Sequence, residues 1–233
     1  MKRPRRREPD GTDSQAKLME VDCMQSWSKV KLIARAREVV RREAAAVKAL
    51  ANQFDDSLMD VVDLLLNCPG HVLVTGAGTS HAMAQRFAHL LSCSGTPALC
   101  ISAADALHGG AGAVREGDVV YVISKGGHSA EVNQFVDISK ERGAKVVAQT
   151  ETLTSPLAER SDAIFLVRAA DGVDPYGMVA TGSSLVAGAA GDALCVLLLE
   201  LRGYSKASFG QTHPGGAVGR KLGSNSDLGE GAA

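Results

Sequence analysis

Short apolar runs alternate with segments of helical period through the middle of this chain, and that alternation limits the folds open to it. The runs are His71–Thr75, Pro97–Ser102, Asp118–Ser124, Ala144–Thr150 and Asp162–Arg168. Helical patterns separate them: about Ser80–Cys93, then Ser129–Gly143 closed by a glycine, a short turn near Pro156–Arg160, and finally Thr181–Arg202 ended by Gly203. The third run is apolar on both faces, as a central parallel strand should be. Strands joined by helices require right-handed crossovers, so the expected class is α/β with a doubly wound, five-stranded parallel sheet.

Two helices should precede the sheet. Val30, Leu32, Ile33, Val39, Val40, Ala44, Val47 and Leu50 recur near a 3.6-residue period. Asp55 or Ser57 is placed to cap a second helix carrying Leu58, Val61, Val62, Leu65 and Leu66. Residues 1–25 mix charge, Pro and Gly and read as a disordered basic tail; 26–222 read as one domain, and 223–233 as a flexible tail. The formal net charge of −1 gives no field to steer the protein to nucleic acid or an anionic membrane. No uninterrupted apolar stretch reaches the length of a membrane span: Leu185–Leu201 is broken by Gly188, Gly191, Asp192 and Glu200. Five cysteines without a CxxC spacing argue against a disulfide framework or zinc ribbon and for a reducing, cytoplasmic compartment.

Ligands of open parallel sheets bind at the carboxyl ends of the strands. Two junctions there look specialised. After the first strand comes Gly76-Ala77-Gly78-Thr79-Ser80, where glycine lets a ligand approach the backbone and the next helix points N–H groups outward. Met83 occupies the last position of GxGxxG and Ser102 stands where a ribose-binding acid would be, which argues against a dinucleotide. After the central strand comes Ser124-Lys125-Gly126-Gly127-His128-Ser129, combining two hydroxyls, a cation and two glycines at a helix start. That is a suitable nest for a phosphate dianion. Its bland alternative is a solvated turn with Ser129 as an ordinary N-cap.

Glu131 follows in the first helical turn, either compensating the helix dipole or placed to take a proton beside the phosphate loop. His71, His81 and His89 read as structural. His108 and His213 fall in irregular segments, where function concentrates, and histidine suits proton shuttling. No ligand spacing points to a metal.

These residues resemble the sugar-isomerase (SIS) domain family, closest to its arabinose-5-phosphate isomerase branch, over about His71–Leu222. Its G-x-G-K-S is matched by Gly76–Ser80, its S-G-T-P-A by Ser94–Ala98, and its E-A-x-H-G-D by Asp105–Gly110. Its S-N-S-G-E-x-x-E is matched by Ser124–Glu131, its T-S-S-T by Thr181–Leu185, and its M-G-D-A-L by Ala190–Leu194. The longest match is to S-H-P-G-G-A-L-G-R-x-L, by Thr212–Leu222. The resemblance implies an α-β-α sandwich of flavodoxin-type topology, assembled as a homodimer or homotetramer. It implies aldose–ketose isomerisation of a phosphosugar through an enediol, without metal or organic cofactor. Glu131 and His213 are then acid/base candidates and His108 faces the substrate. The phosphosugar contacts fall to Gly78, Thr79, Ser80, Ser124, Lys125, Gly126, Gly127, His128 and Ser129, with Ser183 and Ser184. The chain departs from the pattern at Thr79, where the family has lysine, at Gly172, where it has glutamate, though Asp171 and Asp174 lie close, and at Lys125 and His128 in the phosphate loop. The CBS pair that often follows this domain is not expected. The rival functions are a phosphosugar sensor without catalysis and a lyase or aldolase step using Lys125.

Overall fold

A computed structural model describes residues 28–223. The two tail assignments, 1–25 and 223–233, lie outside those residues except for Gly223, which is the last residue of a helix. The chain divides into two compact units, residues 1–42 and residues 43–233. Helix α1 (Lys29–Leu50) runs through the division. In the first unit its turns expose Val30, Leu32, Ile33 and Val40 and carry an Arg35–Glu38 ion pair at 2.8 Å. Everything that follows concerns the second unit.

Its remaining elements are α2 (Ser57–Leu66), β1 (Val72–Gly76), α3 (Thr79–Cys93), β2 (Ala98–Cys100), α4 (Ala103–Ala106), β3 (Val119–Ile123), α5 (Ala130–Glu141) and β4 (Lys145–Thr150). Then come α6 (Pro156–Arg160), β5 (Ala163–Leu166), α7 (Gly182–Leu201), α8 (Lys206–Thr212) and α9 (Gly216–Gly223). The five strands are all parallel, in the order β2-β1-β3-β4-β5, so the expected doubly wound sheet of flavodoxin type is present. The central strands are buried on both faces, which is why β1 and β3 read as unbroken apolar runs.

Alternate residues feed two cores. Val72 and Val74 of β1, Val119, Tyr121 and Ile123 of β3, and Phe165 of β5 pack beneath α2, α3 and α7. Leu73, Val120, Val122, Val146 and Ala148 pack beneath α4 and α5, against Val132, Phe135 and Val136. Val61, Val62 and Leu65 of α2 are sealed in the first core, each worth about 1.5–3 kcal/mol of burial. Helix α7 is long and apolar enough to cross a membrane, but its Val186, Ala190, Leu194 and Leu198 are buried in that same core. Close packing explains its glycines: a Cβ on Gly182 would collide with Val173, and one on Gly191 would stand 2.9 Å from Phe87. Arg86 of α3 and Asp192 of α7 join the two helices by paired hydrogen bonds of 2.6 and 3.0 Å.

The structure departs from the sequence reading in local detail. The N-cap of α2 is Asp56, while the Asp55 carboxylate accepts from the Ser57 N–H and hydroxyl. β2 shrinks to three residues because Ser102 already caps α4 by accepting from the Asp105 N–H. His108 therefore follows a short helix instead of lying in an open loop. His213 ends α8, and α9 begins three residues later, so the closing segment is helical.

Candidate functional site

The strand order reverses between β1 and β3, which opens a crevice at their carboxyl ends. Gly76 lies opposite Ile123 in the register, so the two glycine-bearing junctions are neighbours. In the first, Gly78 takes φ +56°, and nothing lies within 4 Å of where its Cβ would be. That is open backbone at the start of α3. In the second, Ser124 is buried and its Oγ accepts from the Gly127 N–H at 3.2 Å. Gly127 has φ +69°, and a Cβ there would strike Ser155 of the next loop. Asn133 of α5 donates to the carbonyls of Gly127 and Ser129, both at 3.1 Å. The turn is thus braced from inside. Ser129 occupies the N-cap position of α5, yet its hydroxyl makes no cap hydrogen bond. The bland reading of Ser129 as a plain cap does not hold.

Beside these junctions, between the first turns of α3 and α7, lies a cavity of about 60 Å3. At about 10–15 Å3 for each water-sized occupant, it has room for a group of roughly four or five heavy atoms. Thr79, Ser80 and Met83 wall one side and Ser183, Ser184, Val186 and Ala187 the other. Ile123, Lys125, Gln149 and Thr150 form the floor from the ends of β3 and β4, and Glu151 follows at the rim. Gln149 is fixed in place, accepting from the Tyr121 hydroxyl at 2.7 Å and donating to the Ala187 carbonyl at 3.0 Å.

Electrostatically, one pair dominates. Lys125 Nζ donates to Asp174 Oδ2 at 2.9 Å, and Asp174 Oδ1 accepts from the Ser183 N–H at 2.9 Å. The Asp174 side chain is 3% exposed and that of Lys125 is 45%. Burial opposes the charge on Asp174, but bonds from Ser183 and Lys125 outweigh it and hold the carboxyl below its usual range. Burial likewise opposes the charge on Lys125; Asp174, Glu151 and Asp171 outweigh it and raise the ammonium above its usual value. Glu151 Oε1 accepts from the Ala169 N–H at 3.0 Å, which holds that carboxylate at the rim.

Of the residues expected from sequence, Thr79, Ser80, Lys125, Ser183 and Ser184 line this cavity together. Gly78, Ser124, Gly126, Gly127, His128 and Ser129 belong to the adjoining junctions and do not line it. Glu131 does not line it either. It sits in the first turn of α5, whose core-facing side packs on the sheet face opposite to α3 and α7. His108 is exposed in the turn after α4. His213 is at the other end of the sheet. Its Nε2 is 3.4 Å from Sγ of Cys93, the last residue of α3, and its ring stacks on Phe209 at 3.7 Å. Within one chain the Glu131–His213 pair is therefore not assembled. Sequence reasoning missed Gln149 and Glu151, and had Asp174 only as an acid close to Gly172, where the family has glutamate. The first two were findable, because they end or follow β4 at the edge where ligands bind. The pairing of Asp174 with Lys125 had no local signal; only the packing of α7 shows it.

Comparison with known proteins fixes the ancestry of this arrangement. The SIS domain model matches residues 65–206. The chain belongs to the SIS domain family. Arabinose 5-phosphate isomerase KpsF of Escherichia coli is 32% identical over 192 residues, covering 82% of this chain and 59% of that protein. Arabinose 5-phosphate isomerase KdsD of Pseudomonas aeruginosa is 33% identical, covering 80% and 57%. The chain spans about three fifths of the length of the curated relatives it matches. Among solved structures, a candidate sugar-phosphate isomerase from Listeria monocytogenes superposes with TM-score 0.78 at 30% identity, covering 82% of this chain and all of that one. A protein of Escherichia coli CFT073 solved in complex with arabinose 5-phosphate gives TM-score 0.78 at 28% identity, covering 81% and 100%. In this SIS domain the cation at the site is Lys125, on the β3 junction, and Thr79 begins α3. Among the described residues no cluster of three or more His, Cys, Asp or Glu could hold a metal ion. Burial pushes the thiol of Cys195 up to about 12, which leaves it a core residue without nucleophilic use.

Proposed function

We propose that this SIS domain is an aldose–ketose isomerase of a phosphosugar, similar in activity to arabinose 5-phosphate isomerases. The observation that carries the reading is the meeting of two strand-to-helix junctions beside a cavity with hydroxyls and a cation. Thr79, Ser80, Ser183, Ser184 and Lys125 offer the phosphoryl group donors of the kind that oxyanions bind. The sugar then extends over the open backbone at Gly78 and Gly126. Isomerisation moves a proton between C1 and C2 through an enediol, so a carboxylate must reach those carbons. Glu151 is the carboxylate at the rim and we assign it the base; Glu131 is left to compensate the α5 dipole.

His213 enters this proposal through a second subunit. Leu185 and Val196 of α7 are each about half exposed and share one side of the helix, an apolar face suited to a homodimer or homotetramer, and a neighbour's His213 would complete the site. Light scattering tests the assembly: a monomer would remove His213 from the mechanism. A cytoplasmic location belongs to the same proposal and is consistent with the free thiols of Cys68, Cys93, Cys100 and Cys195.

The deciding experiment is turnover of pentose, hexose and heptose phosphates, followed by NMR in D2O. Exchange of a C1 or C2 proton is the expected result; its absence with every sugar defeats the enzyme reading. A second reading, a binder without catalysis, is favoured by one observation: Glu131 and His213 both lie away from the cavity in the single chain. It expects stabilisation by a phosphosugar, about 2.7 kcal/mol at a hundred times Kd, with no exchange. An imine-forming lyase or aldolase is disfavoured, because Asp174 keeps Lys125 protonated and so poorly nucleophilic.

A further inference from the structure

We infer that Asp174 is a positioning residue, which fixes Lys125 and the first turn of α7 as one unit so that both face the substrate's phosphoryl group. The inference rests on the phosphosugar reading of the cavity and adds a residue to it. Each oxygen of the Asp174 carboxylate has a separate task. Oδ2 holds Lys125 Nζ, from the junction after β3, and Oδ1 holds the Ser183 N–H, from the start of α7. These two elements are far apart in sequence, yet both line the cavity.

The exposures distinguish this pair from a surface ion pair. Here the carboxylate is sealed and the ammonium is nearly half open beside the cavity. An ammonium has three N–H bonds, and Asp174 takes one. The remaining donors are available to an anion. The cost of burying Asp174 is met by Ser183 as well as by Lys125, so the lysine can contact a ligand without stranding the carboxylate.

Local packing holds Asp174 where it is. Its neighbour Val173 is buried against Gly182, where any side chain would collide, so α7 approaches the segment closely enough for the Ser183 N–H to reach the carboxylate. The chain then reverses through Tyr176, which takes φ +57°, a left-handed conformation rare outside glycine. The turn leading from Asp174 to α7 is thus held in an uncommon geometry, as positions that orient other groups often are.

The test uses the full chain with inorganic phosphate and arabinose 5-phosphate as probes, measured by titration calorimetry from pH 6 to 11. Asp174→Asn keeps an acceptor for Ser183 and removes the charge opposite Lys125. Phosphate affinity should fall roughly ten- to hundred-fold, the scale of one charge-assisted hydrogen bond. The alkaline limb of binding, where Lys125 loses its proton, should move to lower pH. Lys125→Met should lose a similar factor, and Asp174→Asn placed on Lys125→Met should add less than about three-fold. Lys125→Met removes a half-exposed side chain and leaves Asp174 its bond from Ser183; its melting temperature is read first, and the affinity of the folded protein tests the inference even where Asp174→Asn does not fold. Equal affinity in Lys125→Met and wild type overturns the inference. So does an unmoved alkaline limb in folded Asp174→Asn, or losses that simply multiply in the double variant. In each of those cases wild-type binding survives, and so does the phosphosugar reading. Wild-type protein that binds neither probe defeats both.

Discussion

The two ends of the sheet use the same residue type for opposite purposes. At the amino end, Asp118 spends both carboxylate oxygens on backbone: Oδ1 accepts from the His71 N–H at 2.8 Å and Oδ2 from the Arg115 N–H at 2.9 Å. Asp162 mixes the two kinds of partner, accepting from the Val146 N–H at 2.9 Å and pairing with the exposed Lys145 and Lys140. These carboxylates tie loops to strand starts. At the carboxyl end, Asp174 accepts one backbone N–H but aims its other oxygen at a lysine beside a cavity, and Glu151 stands at the rim. A carboxylate that fixes backbone at the amino end is structural even where lysines join it, as at Asp162; one that orders a partially open cation at the carboxyl end, where parallel sheets bind ligands, is a candidate for function.

The strongest way to break that comparison is Asp118→Ala. It strands two backbone N–H groups, each worth about 1–3 kcal/mol, so stability should fall by about 3 kcal/mol. In a domain of this size the melting temperature should drop by roughly 6–12 °C, read by calorimetry. Phosphate affinity of the protein still folded should not change. A variant that melts like wild type would show that those bonds add nothing to stability.

Next in size is the contrast between two glutamates. Glu151→Gln should lower turnover about a hundred-fold or more with binding kept, as loss of a general base does. Glu131→Gln should alter it by less than about three-fold. Initial rates on the sugar that shows exchange decide it. A result the other way round would return the base to α5 and make the cavity a binding subsite only.

The layers of this fold were legible because they are written locally. Val119–Ile123 is apolar on both faces since both faces are covered, and the run reveals that without any partner being known. The junction motifs were legible for a similar reason: glycines at positive φ, such as Gly78 and Gly127, cannot be replaced cheaply by other residues. What was hidden depends on distance in sequence. Lys125 suggested a phosphate ligand, but nothing near it said that residue 174 would hold it. Gly172 stands where the family's glutamate is expected, and its φ of +73° makes it a turn residue; the acid that pairs with Lys125 comes from two positions later. His213 misled in the opposite way. Its motif was clear, but the motif says nothing of which subunit's site it serves, and in its own chain it rests on Cys93 and Phe209.

The smallest expected effect concerns pH, and it tests the structural half of the comparison. Burial alone would raise the Asp162 carboxyl, but the Val146 N–H, Lys145 and Lys140 outweigh it, so its folded value lies below the ordinary 3.8. A depressed folded value means that the stabilisation is complete above about pH 4 and fades as pH falls through the folded value. Asp162 is partly exposed and its lysines more so, which limits the contribution to about 1 kcal/mol or less. Asp162→Asn should therefore melt slightly below wild type at pH 7, and the two melting curves should converge as pH drops below 4. Denaturation at a series of pH values reads this directly. A gap that stays constant into acid would mean that the Asp162 charge is idle and that only its hydrogen bond to Val146 ties β4 to the loop before β5.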